Sequence, residues 1–570
     1  MGSRLVSSAG FAGLGFAFAL SLALAPISCE QSSREETPVD TSVVKLGPAE
    51  RLVRISMALR GMRPAREDLE AVRRDSQALP GIVDGYLRSD GFGEMIRDLH
   101  DQALDVAVPA AIYPAGFAAV GPLAGQDVQR INVSMTEAPL RLIEHVIVED
   151  RPYTEIVTAD YTLADGAVAA VWGLQYGGTG RSWEVTHWAD GRPSAGILSD
   201  SMLFTRHSTT FSNKNRGRAN AVARALLCYD FIDRQIEIDA NIDLSNPDEV
   251  ANAIQNNATC ASCHQTLDPL AAYFSKYQPL FVPSQVDSYP LPFYTPELAR
   301  VFSVRDAGYF GYPGSDVAHL GQMMAQDPRF SSCAARRFYA YFHQISLADV
   351  PAERAAQLQS VLVRNWSAKE LIRSIVLADD FAVSHVDVDD PERDSHALFK
   401  ARPWQLARLI ADLTGFRWEM DFDFDIGWGR IGHVDLMTDA FLGFEVLSGG
   451  IDGVNVTLPS HTMNASSSIV LDSLAAQAAE QVVENDFQWL DSRKLLTRIA
   501  LDDTSEGAVR EQLSELQGRL FGALAAADSA DTTRAWQLYQ AALAEAGGDA
   551  KRAWKTVLYA MLQDPKVVYY

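Results

Sequence analysis

Cys260-Ala261-Ser262-Cys263-His264 sets two thiols three positions apart with a histidine directly behind the second. Thiols at that spacing can each add to a vinyl group on one edge of a haem, and the following imidazole is then held against the iron. The motif predicts one covalently attached haem c, with Cys260 and Cys263 as the thioether positions and His264 as the proximal iron ligand. Two other uses of the pair fit less well. A thioredoxin-like couple belongs where a strand turns into a helix, whereas Asp248 to Ile254, just ahead of the motif, has helical periodicity. A zinc site needs a second pair of ligands, and neither CxxC nor HxxxH recurs.

Haem iron has a second axial position, for which Met323, Met324, His207 and His319 are the candidates. Helical geometry lets one of the two neighbouring methionines face the metal, not both. A methionine would raise the potential relative to a second histidine, and an unfilled position would admit peroxide or gas chemistry. The carbonyl beside Asp268-Pro269 is expected to accept the His264 imidazole N–H, the alternative being a plain turn. Arg206 and Arg216-Gly217-Arg218 are expected either to pair with the haem propionates or to form a solvated basic patch.

These few residues have to be positioned by a long chain. With 570 residues, 47% of them apolar, several cores can be buried, and most of the chain serves something other than holding one haem. The formal charge of −24, from 49 basic against 73 acidic residues, argues against nucleic acid and anionic headgroups as partners. A basic redox protein or a small-molecule electron donor or acceptor suits it better.

Met1 to Ala25, with Arg4 and an apolar run from Phe11, predicts an export signal rather than a membrane span. Ala23-Leu24-Ala25 suits signal cleavage, although Pro26 follows it. Ile27-Ser28-Cys29 resembles the end of a bacterial lipoprotein signal, making Cys29 the lipid-bearing residue and a lipid anchor the expected attachment to a membrane. The expected compartment is the periplasm, outer membrane or cell surface. Of five cysteines, Cys29 takes lipid and the motif takes two, leaving Cys228 and Cys333. Outside the cytoplasm those two either form a disulfide or stay as two buried thiols.

The expected architecture is mainly α, a multi-domain helical chain with a cytochrome c-like haem domain and minor β-hairpin elements. An export signal (1–28) and a flexible polar tether (29–46) precede an N-terminal helical domain (47–137). A mixed connecting region (138–195), the haem domain (196–384), a charged linker (385–400) and a C-terminal helical domain (401–570) follow. Trp183 to His187 alternates like a strand and, with the Asp190-Gly191 turn, predicts a hairpin to Gly196-Ile197-Leu198. Asp421, Asp423 and Asp425 alternate with Phe422 and Phe424, as in an exposed strand with aromatic residues inward. The glycine and glutamate of a calcium loop are missing there. Leu406 to Arg417 echoes Leu52 to Arg63, one weak sign of duplication.

The motif with its continuation Gln265-Thr266-Leu267-Asp268-Pro269-Leu270, preceded by Gly196-Ile197-Leu198-Ser199, Asn215 to Ala219 and Leu226-Leu227-Cys228, resembles large secreted monohaem proteins of planctomycetes and myxobacteria. Those are assembled from planctomycete-type cytochrome c domains and domain families of unknown function. Ser332 to Tyr339 resembles their downstream cysteine helix, and Trp404 to Trp418 their helix ending in a Leu-Thr-Gly-Phe-type turn. The resemblance implies haem and export, not a substrate. Three functions follow as expectations: electron transfer with an extracytoplasmic partner, surface binding or scaffolding with a structural haem, or a haem enzyme with an open distal iron site.

Overall fold

Helices make up 58% of the computed structural model and strands 7%, the mainly α, multi-domain architecture expected. The structure describes residues 42–108, 117–233, 242–279, 286–387, 395–425, 430–439 and 442–570. The expected export signal and Cys29 lie outside the described residues. Among the described residues, no helix is long and apolar enough to cross a membrane.

Local chemistry explains where helices start and stop. Pro48–Arg60 begins with proline, whose missing N–H costs nothing at that position, and ends at Gly61 in the left-handed region (φ 61°). Pro403–Thr414 repeats the plan and ends at Gly415 (φ 73°). The two helices meet: Gln405 Nε2 donates to the Met57 carbonyl at 2.8 Å, and a Cβ on Gly61 would lie 3.0 Å from the Gln405 Cα. One buried apolar cluster runs from Leu52 to Val568.

Among the described residues, nine short strands pair antiparallel. β1 (Ser42–Lys45) lies against β6 (Val383–Asp387), which also holds β7 (Ser395–His396). The ends of the expected tether and linker thus form one sheet, and the helix Val128–Val148 runs through the expected boundary at 137. Buried Arg54 fastens the sheet to the first helix through the carbonyls of Phe381, Val383 and Ala397, at 3.1, 2.6 and 2.6 Å.

Two strand expectations change. β2 (Thr162–Ala164), not Gly196 to Leu198, pairs with β3 (Glu184–Thr186). Ile197 and Leu198 are fully buried in a turn instead. Gly196 takes a positive φ of 53° in that turn, and a Cβ there would be 2.2 Å from the Ile156 carbonyl oxygen. β4 (Gly308–Tyr309) and β5 (Tyr312–Pro313) form a small hairpin. β8 (Glu419–Asp425) pairs with β9 (Arg430–Asp435) as an exposed ribbon, so that part of the expectation holds. Phe424 does not turn inward, being 49% exposed.

Candidate cofactor site

The motif lies in the first turns of a helix spanning Ala258–Ala272. Asn257 starts it, its side-chain oxygen accepting the backbone N–H groups of Thr259 and Cys260 at 3.1 and 3.3 Å. Residues three and four apart share a helix face, so Cys260, Cys263 and His264 lie together. All three are half-buried, whereas Thr259, Ser262 and Gln265 point to solvent. Neither Cys260 nor Cys263 is in a disulfide.

One turn further on, Asp268 is closed off from solvent and its Oδ1 stands 3.0 Å from His264 Nδ1. Arg216 reaches the same carboxylate with Nε at 2.6 Å from Oδ1 and a terminal nitrogen at 3.2 Å from Oδ2. Arg305 Nε lies 4.0 Å from Oδ2. Burial alone would raise the Asp268 pKa, but the hydrogen bonds from His264 and Arg216 and the Arg216 charge outweigh it and hold the carboxyl below its ordinary value. An ionised carboxylate only accepts, so Nδ1 donates to Asp268 and Nε2 is the ring nitrogen left to meet a metal. The sequence pointed to the backbone carbonyl beside Pro269. The structure puts the Asp268 side chain there, because four residues along a helix returns it to the same face as His264.

Arg216 opens a second helix, Arg216–Leu227, capped at its far end by Cys228 in the left-handed region. Cys228 is joined to Cys333 by a disulfide with Cα atoms 5.3 Å apart. Cys333 sits on the helix Pro328–His343, as its inward face implied. Arg337, one turn later, donates to the carbonyls of Ala225 and Arg224 at 2.9 and 2.7 Å, satisfying the last groups of the Arg216 helix. The arginine that grips Asp268 therefore sits on a helix anchored at its other end by a covalent bond and an arginine. The β4–β5 hairpin closes the other flank, with Gly308 against Pro269. Phe310 in its turn packs edge-on to Tyr229, under the Arg329 guanidinium.

The remaining sequence candidates sit on other elements. His207 Nε2 is 2.9 Å from the Leu104 carbonyl, and burial lowers its pKa to about 3. Met323, Met324 and His319 are on the helix Val317–Gln326, which packs on Glu155–Thr158 and Pro328–His343. Met324 is fully buried there as core; Met323 is partly buried. Arg206 is spent on the carbonyls of Asp105 and Gly453. Arg218, fully buried, donates to the carbonyls of His207, Phe204 and Gln278. Both are structural cations held by backbone carbonyls, so they do not form a solvated patch, the alternative to propionate pairing.

A cleft of about 890 Å3 lies away from the motif helix, with Asp98, Asp101, Asp439, Glu445, Trp404 and Trp418 among its walls. Burial pushes the Asp101 carboxyl up to about 7. Among the described residues, no group of three or more His, Cys, Asp or Glu is placed to hold a metal ion.

Residues 194–280 match the family model PSCyt3, a protein of unknown function (DUF1588), which is a planctomycete-type cytochrome-associated domain. The match spans the Arg216 helix, the motif and Asp268. No cytochrome c domain model matches the chain. No curated protein and no solved structure matches it.

Proposed function

We propose that the chain is an exported c-type haem protein carrying one haem c, which exchanges electrons with an extracytoplasmic redox protein or small-molecule donor or acceptor. The observation that carries this reading is the shared helix face of Cys260, Cys263 and His264, with His264 oriented by Asp268. The residues present fit the group: two cysteines outside the disulfide at thioether spacing, and an imidazole whose Nδ1 is engaged by Asp268, leaving Nε2 as the nitrogen for iron. When bound, haem supplies a one-electron couple. The chain would hold it through the Cys260 and Cys263 sulfurs, orient His264 through Asp268, and keep that carboxylate charged with Arg216. Met323, Met324 and His207 remain the proposed distal ligands. His207 would first have to give up its bond to the Leu104 carbonyl. The Cys228–Cys333 disulfide supports an oxidising compartment, in line with export and with a lipid on Cys29.

The test is expression of the full chain in a host that matures c-type cytochromes, followed by a pyridine haemochrome spectrum and intact mass. A single covalent haem that is lost when both Cys260 and Cys263 become Ser supports the reading; mature protein without porphyrin rejects it. Reversible reduction by mediators supports electron transfer. Binding of CO or cyanide at low concentration would turn the assignment to a haem enzyme, and failure to exchange electrons with any mediator to a binding protein with structural haem.

A further inference from the structure

We infer that Asp268, balanced by Arg216, is the positioning residue that sets how strongly His264 donates to iron, and with it the reduction potential. The inference rests on the haem reading of this site. The geometry that carries it is a three-residue relay from two helices: His264 Nδ1 to Asp268 Oδ1 at 3.0 Å, and Arg216 on both carboxylate oxygens at 2.6 and 3.2 Å. The Asp268 side chain has no exposed surface, so water does not screen the pair. A backbone carbonyl in that place would fix the ring and do little more. A buried anion also draws on the Nδ1 proton, giving the imidazole more anionic character and making it a more basic ligand. A more basic ligand favours the higher iron charge, and so lowers the potential. Arg216 works against this: its Nε binds the same Oδ1 that accepts from His264, withdrawing charge from the bond.

The two partners should therefore shift the potential in opposite directions, which a merely structural role would not produce. Asp268→Asn keeps an acceptor of the same shape without the charge; Arg216→Gln keeps a donor and removes the counter-charge. The wild type and both variants are matured as full chains, haem loading is recorded, and midpoints are read by mediated spectroelectrochemistry. The expected result is a rise for Asp268→Asn that favours the reduced form by about tenfold, 59 mV for a one-electron couple. Arg216→Gln should fall below wild type. In the reduced protein, the His264 Nδ1–H resonance should move upfield in Asp268→Asn.

Loaded variants that keep the wild-type midpoint, or that both move the same way, overturn the inference. If Asp268→Asn does not accumulate, Arg216→Gln decides alone, and a rise or no change overturns it. A wild type without haem overturns the reading of the site itself, a result registered before any titration and so distinct from a failure of the relay.

Discussion

Removing the Cys228–Cys333 bond should loosen one part of the chain by a calculable amount. The bond closes a loop with a sequence separation of 105, and in the chain-entropy model a loop of that size is worth about 4–5 kcal/mol against any state that releases it. The double variant Cys228→Ser, Cys333→Ser keeps side-chain volume close to native, so the entropic effect should dominate. Amides of Arg216–Leu227 and Pro328–His343 that exchange by opening the loop should exchange on the order of a thousandfold faster, since about 1.4 kcal/mol is a factor of ten. Amides of Glu506–Phe521, which lie outside the loop, serve as the internal control and should stay within a few fold of wild type. Hydrogen exchange read by mass spectrometry, with and without the substitutions, gives the comparison directly. An acceleration under tenfold in both helices would refute the reasoning, and would mean that Arg337 on the carbonyls of Ala225 and Arg224 holds the junction without the covalent bond.

Acid should weaken the fold partly through His100, which is buried against Tyr153 and Phe338 and whose pKa burial lowers to about 4. Because the folded value lies below the unfolded one, the neutral ring's contribution is complete above about pH 6.5 and is lost as the pH falls towards 4. It amounts to about 3 kcal/mol. The urea midpoint of His100→Gln should therefore fall less steeply than wild type across that window, and equal slopes would exclude the histidine. Asp101, raised to about 7, acts in the opposite sense, so the variant-to-wild-type difference is the quantity to compare. Gly321→Ala should cost about 3 kcal/mol, because its Cβ would fall 1.9 Å from the Val157 carbonyl oxygen. Gly81→Ala, with nothing within 4 Å, should instead gain about 0.5–1 kcal/mol from reduced chain entropy; thermal melts in the reverse order would contradict the packing described.

Features written over a few neighbouring residues were legible. The Pro48 and Pro403 starts, the Gly61 and Gly415 stops, and the helical setting of the motif follow from capping rules that need no tertiary information. The Cys228–Cys333 bond was one of two outcomes the sequence left open, with the inward face of Cys333 in its favour. The His264–Asp268 contact was available too, as a four-residue helical spacing, but Pro269 points equally to a neighbouring backbone carbonyl as acceptor. What the sequence could not disclose depends on distant partners. Nothing local tells Glu184–Thr186 that its mate is Thr162–Ala164 rather than the nearer Gly196 to Leu198, because strand register is set by the surface the pair must cover. The same holds for the arginines. Arg206, Arg216 and Arg218 look alike in sequence, yet two bind backbone carbonyls and one binds a carboxylate.

The pairing of β1 with β6 orders events in time. Ser42 faces Asp387, so Ser42–Lys45 has no mate until most of the polypeptide has emerged, and Arg63 waits longer still for the carbonyls of Leu520 and Lys566. Arg216–Leu227 meets both Ala258–Ala272 and Pro328–His343 over far shorter stretches. The long-range pairings of Ser42–Lys45 and Arg63 should thus form last.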